Sequence, residues 1–342
     1  MIRVNSINLL GNEKKYISEC IDTNWISGSG KFNYLFEKKI QGLIKKKYAI
    51  STTNGTTALE TAIQSLNLKK GDEVILPSFT IISCFNAIVK NGLIPVPVDC
   101  NFGDWNMDVE KLKKKITKKT KAIIVVHIYG LASDIKEIIK LKKKFSFKII
   151  EDAAEAMGLK YYDNKYCGYY GDITTFSFYA NKHITTGEGG MITTNDEEKY
   201  QRLLRLRTHG INRDASRFSN NLSIAFASDS HPSEYPGWYM EMEELGYNYR
   251  LTDLQAALAL SQLQRADEGL KRRREIAATY QAAFCEVEGI IDRNLEANHP
   301  SSNGHAHHLY VLEIPSFRNE LYETLRSSMI FPQVHYIPTH LM

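Results

Sequence analysis

Four local features of this 342-residue chain carry side chains able to do chemistry together. Lys182 lies in YANKHITTGEGGMI, among small and apolar residues. An amine drawn out of water there loses part of its preference for the charged form and gains nucleophilicity. Ser177, five residues earlier, lies on ITTFSFY; Asp152 closes KIIEDAAEA; and Asn54-Gly55-Thr56-Thr57 follows a strand and opens a helix. The turn Gly187-Glu188-Gly189-Gly190 leads into the next strand. All fall at strand ends, where open parallel sheets place their ligands. Together they suit one phosphorylated pyridine cofactor bearing an aldehyde. The phosphate rests on the Gly55–Thr57 turn at a positive helix end, with help from Ser177. Asp152 faces the ring nitrogen and keeps it protonated, which makes the ring an electron sink, and Lys182 forms the imine. Each feature has a plainer reading when taken alone: a generic βα turn, a carboxylate capping a helix, a surface lysine.

The elements that must position these residues alternate. Strands are expected at Lys47–Thr52, Glu73–Leu76, Ala122–His127, Lys148–Glu151, Ile173–Phe178 and Met191–Thr194. Helices are expected at Thr56–Leu66, Ile82–Lys90, Val109–Ile116, Ile135–Lys144, Thr252–Gln264 and Arg272–Phe284. The pattern predicts an α/β fold around a mainly parallel sheet. From His308 onward the chain reads strand, helix, strand (LYVLEI, Asn319–Ser327, QVHYI), as a small C-terminal α/β domain would.

Composition bounds the function. Apolar residues make up 43% of the chain and the net charge is +4, ordinary for a globular protein. No apolar run approaches the roughly 20 residues of a membrane span, and the first ten residues lack the pattern of a signal peptide. Five scattered cysteines without CxxC pairing suggest a reduced, cytoplasmic setting. The lysine runs around Lys111–Lys121 and Lys142–Lys144 lack interleaved aromatics or arginines, so they read as solvated helix faces and not as a nucleic-acid patch. His299, His305, His307 and His308 lie in HPSSNGHAHH, which reads as a mobile loop without the cysteine or carboxylate partners of a metal site. The cations change abruptly: residues 1–200 hold 28 Lys and one Arg, whereas 201–342 hold one Lys and 13 Arg. Mixed parentage would produce such a seam, local drift being the plainer alternative; if the two parts have different parents, one continuous core should still cross residue 200.

NGTTAL, IIEDAAEAMG, GDITTFSFYANKHITTGEGGMITT and LGYNYRLTDLQAALALSQL, in this order, resemble the DegT/DnrJ/EryC1/StrS sugar-nucleotide aminotransferases over essentially the whole chain. The resemblance implies the fold-type-I aminotransferase architecture, with a large domain over 1–250, a small one over 251–342 and pyridoxal 5′-phosphate as cofactor. It also implies L-glutamate as amino donor, a nucleotide-linked keto sugar as acceptor, and a homodimer with shared active sites. Carried over by position, Lys182 is the Schiff-base lysine and proton shuttle, Asp152 the pyridine-nitrogen partner, and Glu155 the neighbour of the ring hydroxyl. Gly55, Thr56 and Ser177 hold the phosphate; Asn248 or Arg250 reaches the cofactor phosphate of the neighbouring subunit; His335, Tyr336 and Ser27 border the sugar pocket. For Asn248 and Arg250 the residues themselves say only a turn and a helix entrance, and for His335 and Tyr336 an edge strand.

Two branches share the likeness. NWISGSGKFNYLFE, VVHIYGLASDI and FSFYANK look like GDP-perosamine synthases, which would serve surface-polysaccharide synthesis. LRTHGINRD, HHLYVLEI and QVHYIPTHL look like the UDP-sugar transaminase of pseudaminic acid synthesis. The departures are Ile81, where the group places an aromatic over the ring, and a chain that stops at Met342 where the family pattern continues, so the small domain is expected to be short. With these departures, an inactive chimera that binds sugar nucleotide or a partner is the reading from another class. Phe79, by strand alternation, is expected to point away.

Overall fold

The computed structural model describes residues 1–219, 235, 237–294 and 303–342. In chain order the elements that frame the site are β1 (Ile2–Arg3), α1 (Glu13–Asp22), α2 (Lys31–Ile44), β2 (Tyr48–Thr52), α3 (Gly55–Ser65), β3 (Glu73–Pro77), α4 (Ser83–Lys90) and β4 (Ile94–Val98). They are followed by α5 (Val109–Lys115), β5 (Thr120–Val126), α6 (Ile135–Phe145), β6 (Lys148–Asp152), β7 (Ile173–Ser177), β8 (Gly190–Thr194) and α7 (Glu197–Leu206). After these come α8 (Asp253–Gln264), α9 (Ala266–Phe284) and α10 (Arg318–Ser327).

Seven strands form one sheet in the order β2-β8-β7-β6-β5-β3-β4. Neighbours from β4 to β7 run parallel, and β8 is antiparallel to both β2 and β7. The apolar run of β5 is buried on both faces, as a central parallel strand covered by helices requires. Strand alternation decides which side chain meets which layer. Ile123, Val125 and Ile149 join one core cluster, whereas Ala122, Ile124, Val126 and Ile150 join another on the opposite face. Asp152 therefore faces the side of Ile150, and Glu151 the other.

The first cluster runs from Cys20 through Met191 to Leu251, Ala256, Leu260, Leu270 and Ala306, so one core crosses residue 200. The Lys-rich and Arg-rich parts are also joined by a cap. Buried Asp253, which opens α8, accepts from Phe32 N at 3.2 Å and Asn33 N at 2.8 Å, closing orphan amides at the start of α2. Gly30 must be glycine, since a Cβ there would meet the Asp253 carboxylate at 1.9 Å.

The C-terminal region departs from the expected strand, helix, strand. Ile330–Phe331 pairs with β1, and Ile291–Asp292 pairs with Leu312–Glu313. QVHYI carries no strand, because residues 333–337 lie between Pro332 and Pro338 and its backbone and side chains turn to the site instead. No helix among the described residues is long and apolar enough to cross a membrane.

Candidate functional site

Lys182 emerges from the turn after β7, its N–H donating to Tyr179 O at 3.0 Å. Its side chain is only 14% exposed, and its Nζ lies 3.7 Å from Glu155 Oε1 and 3.4 Å from His308 Nε2. The desolvation expected from its apolar neighbours is thus joined by a carboxylate and an imidazole that the local sequence did not announce.

Glu155 is the hub. Its Oε2 accepts from Tyr129 N at 2.6 Å and its Oε1 accepts from the Tyr336 hydroxyl at 2.6 Å. Tyr129 adopts φ +56°, a left-handed conformation that a bulky residue takes only when its surroundings enforce it. Here the enforcement is visible. Its amide serves Glu155, its hydroxyl donates to His335 O at 2.9 Å, and its ring stacks on Tyr336 at 5.8 Å and 4°. At the adjoining Gly130 a Cβ would come within 2.9 Å of Glu155 O. Burial and the Glu155 charge push the Tyr129 and Tyr336 hydroxyls above their ordinary range, so both remain donors.

Asp152, at the C-terminal end of β6, is 2% exposed. It accepts from Ala154 N at 3.1 Å and from the Cys84 thiol at 3.5 Å. Burial raises its pKa, offset in part by Ala154 N and the Lys182 charge. No cationic side chain lies within ion-pair distance of it among the described residues, so it is a buried carboxylate without a charged partner.

Gly55 opens α3 behind the Asn54 capping box. A Cβ on Gly55 would meet Ser177 Cβ at 2.8 Å, so glycine alone keeps open the space between the helix start and the end of β7. Thr56 Oγ1 bonds Ser83 Oγ at 2.9 Å. The first amides of α3 lack helical partners, the ordinary recipe for holding a phosphate.

The remaining expected residues are placed differently. Tyr336 and the His335 carbonyl join the Glu155 hub. Tyr249 O accepts from Thr53 N at 2.9 Å, so the Asn248–Arg250 segment runs beside the end of β2 in its own chain, and Asn248 bridges to Thr208. Exposed Ser27 uses its carbonyl to receive Asp253 N at 2.9 Å. Ser27, Asn248 and Arg250 are not joined to the Lys182 cluster by any hydrogen bond among the described residues. Phe79 does not point away: it packs edge-on against Tyr129 at 6.2 Å and Tyr336 at 5.7 Å, while Ile81 is 44% exposed.

The histidine segment also departs from expectation. His299 lies outside the described residues. His305 and His308 are buried, Ala306 N donates to Gly130 O at 2.7 Å and His308 N to Tyr129 O at 2.9 Å. Over residues 303–308 a chain tied down in this way is no mobile loop. Burial holds His183 and His308 well below the ordinary imidazole pKa and lowers His307 to about 4. A depressed folded pKa stabilises the fold above the ordinary value of about 6.5, and that stability is lost as pH falls toward the folded value. The urea midpoint should therefore fall between pH 7 and pH 4, and fall less in His307→Gln; equal pH profiles would remove His307 from this account.

The arrangement fits an aldehyde-bearing phosphopyridine on observations independent of likeness: a glycine cradle, a buried unpaired carboxylate, and a shielded amine one strand away. Similarity to known proteins points the same way. The DegT/DnrJ/EryC1/StrS aminotransferase family matches residues 9–342. GDP-perosamine synthase of Escherichia coli O157:H7 is 38% identical over 345 residues, covering 100% of this chain and 86% of that protein. Helicobacter pylori PseC, an aminotransferase of pseudoaminic acid biosynthesis, superimposes with a TM-score of 0.86 at 27% identity, covering 98% of this chain and 85% of its own. The putative sugar aminotransferase Spr1654 of Streptococcus pneumoniae, in its PMP form, gives 0.85 at 27% identity over 100% of this chain and 86% of that one. This chain belongs to the DegT/DnrJ/EryC1/StrS aminotransferases, pyridoxal-phosphate-dependent enzymes that act on sugars.

Proposed function

We propose that the chain moves an amino group from L-glutamate to C4 of a GDP-linked 4-keto-6-deoxyhexose, working as a cytoplasmic homodimer. Supporting this is the placement of Lys182 beside Glu155 and His308, with Asp152 buried at the end of the neighbouring strand, in a chain 38% identical to a GDP-perosamine synthase. Pyridoxal phosphate, when bound, supplies an aldehyde and a ring that accepts electrons. The chain supplies everything else. The start of α3 and Ser177 would hold phosphate; Asp152 would keep a ring nitrogen protonated from a buried position; Glu155 fixes Lys182 and, through Tyr129 and Tyr336, the wall around it. Lys182 Nζ, a base once freed, would carry a proton between the two carbons bonded to the transferred nitrogen. The resemblance gives the large domain as 1–250 and the small one as 251–342, with Asn248 or Arg250 reaching across the dimer; removal of either side chain should weaken cofactor retention if it does.

The nucleotide is tested by incubating GDP- and UDP-linked 4-keto sugars with L-glutamate and reading product by mass. A product gain of about 1 Da from the GDP sugar supports the proposal. Product from the UDP sugar alone supports the second reading, favoured by the likeness to PseC. Product from neither, with cofactor bound, sinks both.

Gly55→Ala gives an independent check of the cradle. Its methyl group overpacks Ser177 at a cost of about 1–3 kcal/mol. The expected result is release of cofactor on dialysis that leaves the wild type loaded; equal retention would show that phosphate sits elsewhere.

A further inference from the structure

Beside Lys182 opens a cleft of about 730 Å³ between the N-terminal segment, α9 and the chain around His308 and Ile330. Its charges are unbalanced: Arg3, Lys182, Arg265, Arg272 and Arg273 line it, against a single acidic residue, Glu268, among the described residues. Two of these arginines have partners, since Arg265 pairs with Glu13 and Arg272 with Glu275. Arg273 does not. Its Nη1 donates to His307 O at 3.1 Å and His308 O at 3.0 Å, which fixes the guanidinium on the same residue whose ring faces Lys182. Among the described residues nothing accepts from Nε or Nη2, and no carboxylate lies within ion-pair distance. A partly buried guanidinium without a counter-ion is costly, and a free Nε/Nη2 edge has the geometry to grip a carboxylate with two parallel bonds. Two ring nitrogens of the lining histidines are also open: His183 Nδ1 and His308 Nδ1 are buried without partners. Burial holds the neighbouring His183 and His308 well below the ordinary imidazole pKa, so they add no charge to that of the lysine and arginines of the cleft.

We propose that Arg273 is the anchor for a carboxylate of the amino donor, holding it in this cleft with its amine directed to the Lys182 side. This deepens the reading of the chain as a glutamate-dependent aminotransferase and rests on it. The cleft takes an amino dicarboxylate, and Arg273 sets the specificity of the donor half-reaction while leaving the sugar half-reaction alone.

The test uses glutarate, the carbon skeleton of the donor without its amine, titrated calorimetrically into the cofactor-free protein. The wild type should bind it, Arg273→Gln should bind it roughly ten- to hundredfold more weakly, as loss of charged hydrogen bonds predicts, and Arg273→Lys should fall between. In the loaded protein, the L-glutamate concentration giving half conversion of the cofactor to its amino form should rise by a similar factor. The concentration dependence on the sugar nucleotide should not change, and melting curves establish that each variant folds. Glutarate binding that is absent from the wild type, or equal in Arg273→Gln, overturns the proposal. Inorganic phosphate binding as tightly as glutarate and weakened equally by Arg273→Gln also overturns it, by making the cleft a general anion site; phosphate held at the start of α3 would not respond to that variant. Glutarate binding that depends on Arg273, in a protein that L-glutamate does not convert, upholds the carboxylate anchor and instead overturns glutamate as donor.

Discussion

Lys182→Ala should lose amino transfer by at least about ten-thousandfold and still fold. The size of the loss follows from two roles ending together, the covalent attachment and the proton transfer, of which the second alone is worth roughly 10²–10⁴. The fold should survive because the Glu155 carboxylate keeps Tyr129 N and the Tyr336 hydroxyl at 2.6 Å each after the ammonium at 3.7 Å is gone. The expected picture is a protein with a melting curve close to the wild type, able to take up cofactor, whose long-wavelength absorbance differs because no lysine bond forms. Retained turnover, measured as product from a keto-sugar nucleotide, would mean that another amine does the work. His308, the other group on Nζ, has no primary amine and cannot substitute.

Asp152→Asn is the second large effect, and it should act in opposite directions on catalysis and stability. With the cofactor bound, the amide cannot hold the ring nitrogen protonated, and loss of a preorganised charge of this kind costs roughly 10²–10³ in rate. Without cofactor the same carboxylate is a burden. Burial raises its pKa, so its protonated form is favoured in the fold, and ionising it as pH rises through the raised value costs stability. The cofactor-free variant should therefore melt higher than the cofactor-free wild type at pH 8, with a smaller gain at pH 3, below the ordinary aspartate range. A shift on the order of 2–4 °C corresponds to about 1 kcal/mol in a chain somewhat smaller than this. A variant that loses activity and also melts lower at both pH values would contradict the idea that Asp152 waits unpaired for a donor.

Much of this was legible in the sequence, and the parts that were not have physical reasons. The βα turn at Gly55 and the strand ends at Asp152 and Ser177 are local patterns, and local patterns survive folding. Strand β4 is not legible in its residues because IPVPV carries two prolines, which an interior strand cannot tolerate; β4 is the sheet edge, where a missing N–H costs little. Helix α2 is absent from the expected elements although Phe32, Phe36, Ile40 and Ile44 recur every four residues, a period that points to one buried helix face. The Glu155 hub lay beyond reach for another reason. It joins residues 129, 155, 182, 308 and 336, separated by up to some two hundred positions, and only the docking of the C-terminal segment against Tyr129 and Gly130 brings them together. The positive φ of Tyr129 is the trace of that docking, and no residue type announces it. His308 drew notice only as one histidine among several near a supposed loop, whereas its value lies in being buried, neutral and next to Lys182.

The most direct measurement is to reduce the loaded protein with borohydride, digest it, and map the modified peptide by mass. The account predicts a single phosphopyridoxyl group on Lys182, in the peptide containing YANK, and none on any other lysine. A cofactor fixed to any other lysine, or a Lys182 peptide recovered unmodified from fully loaded protein, would contradict it.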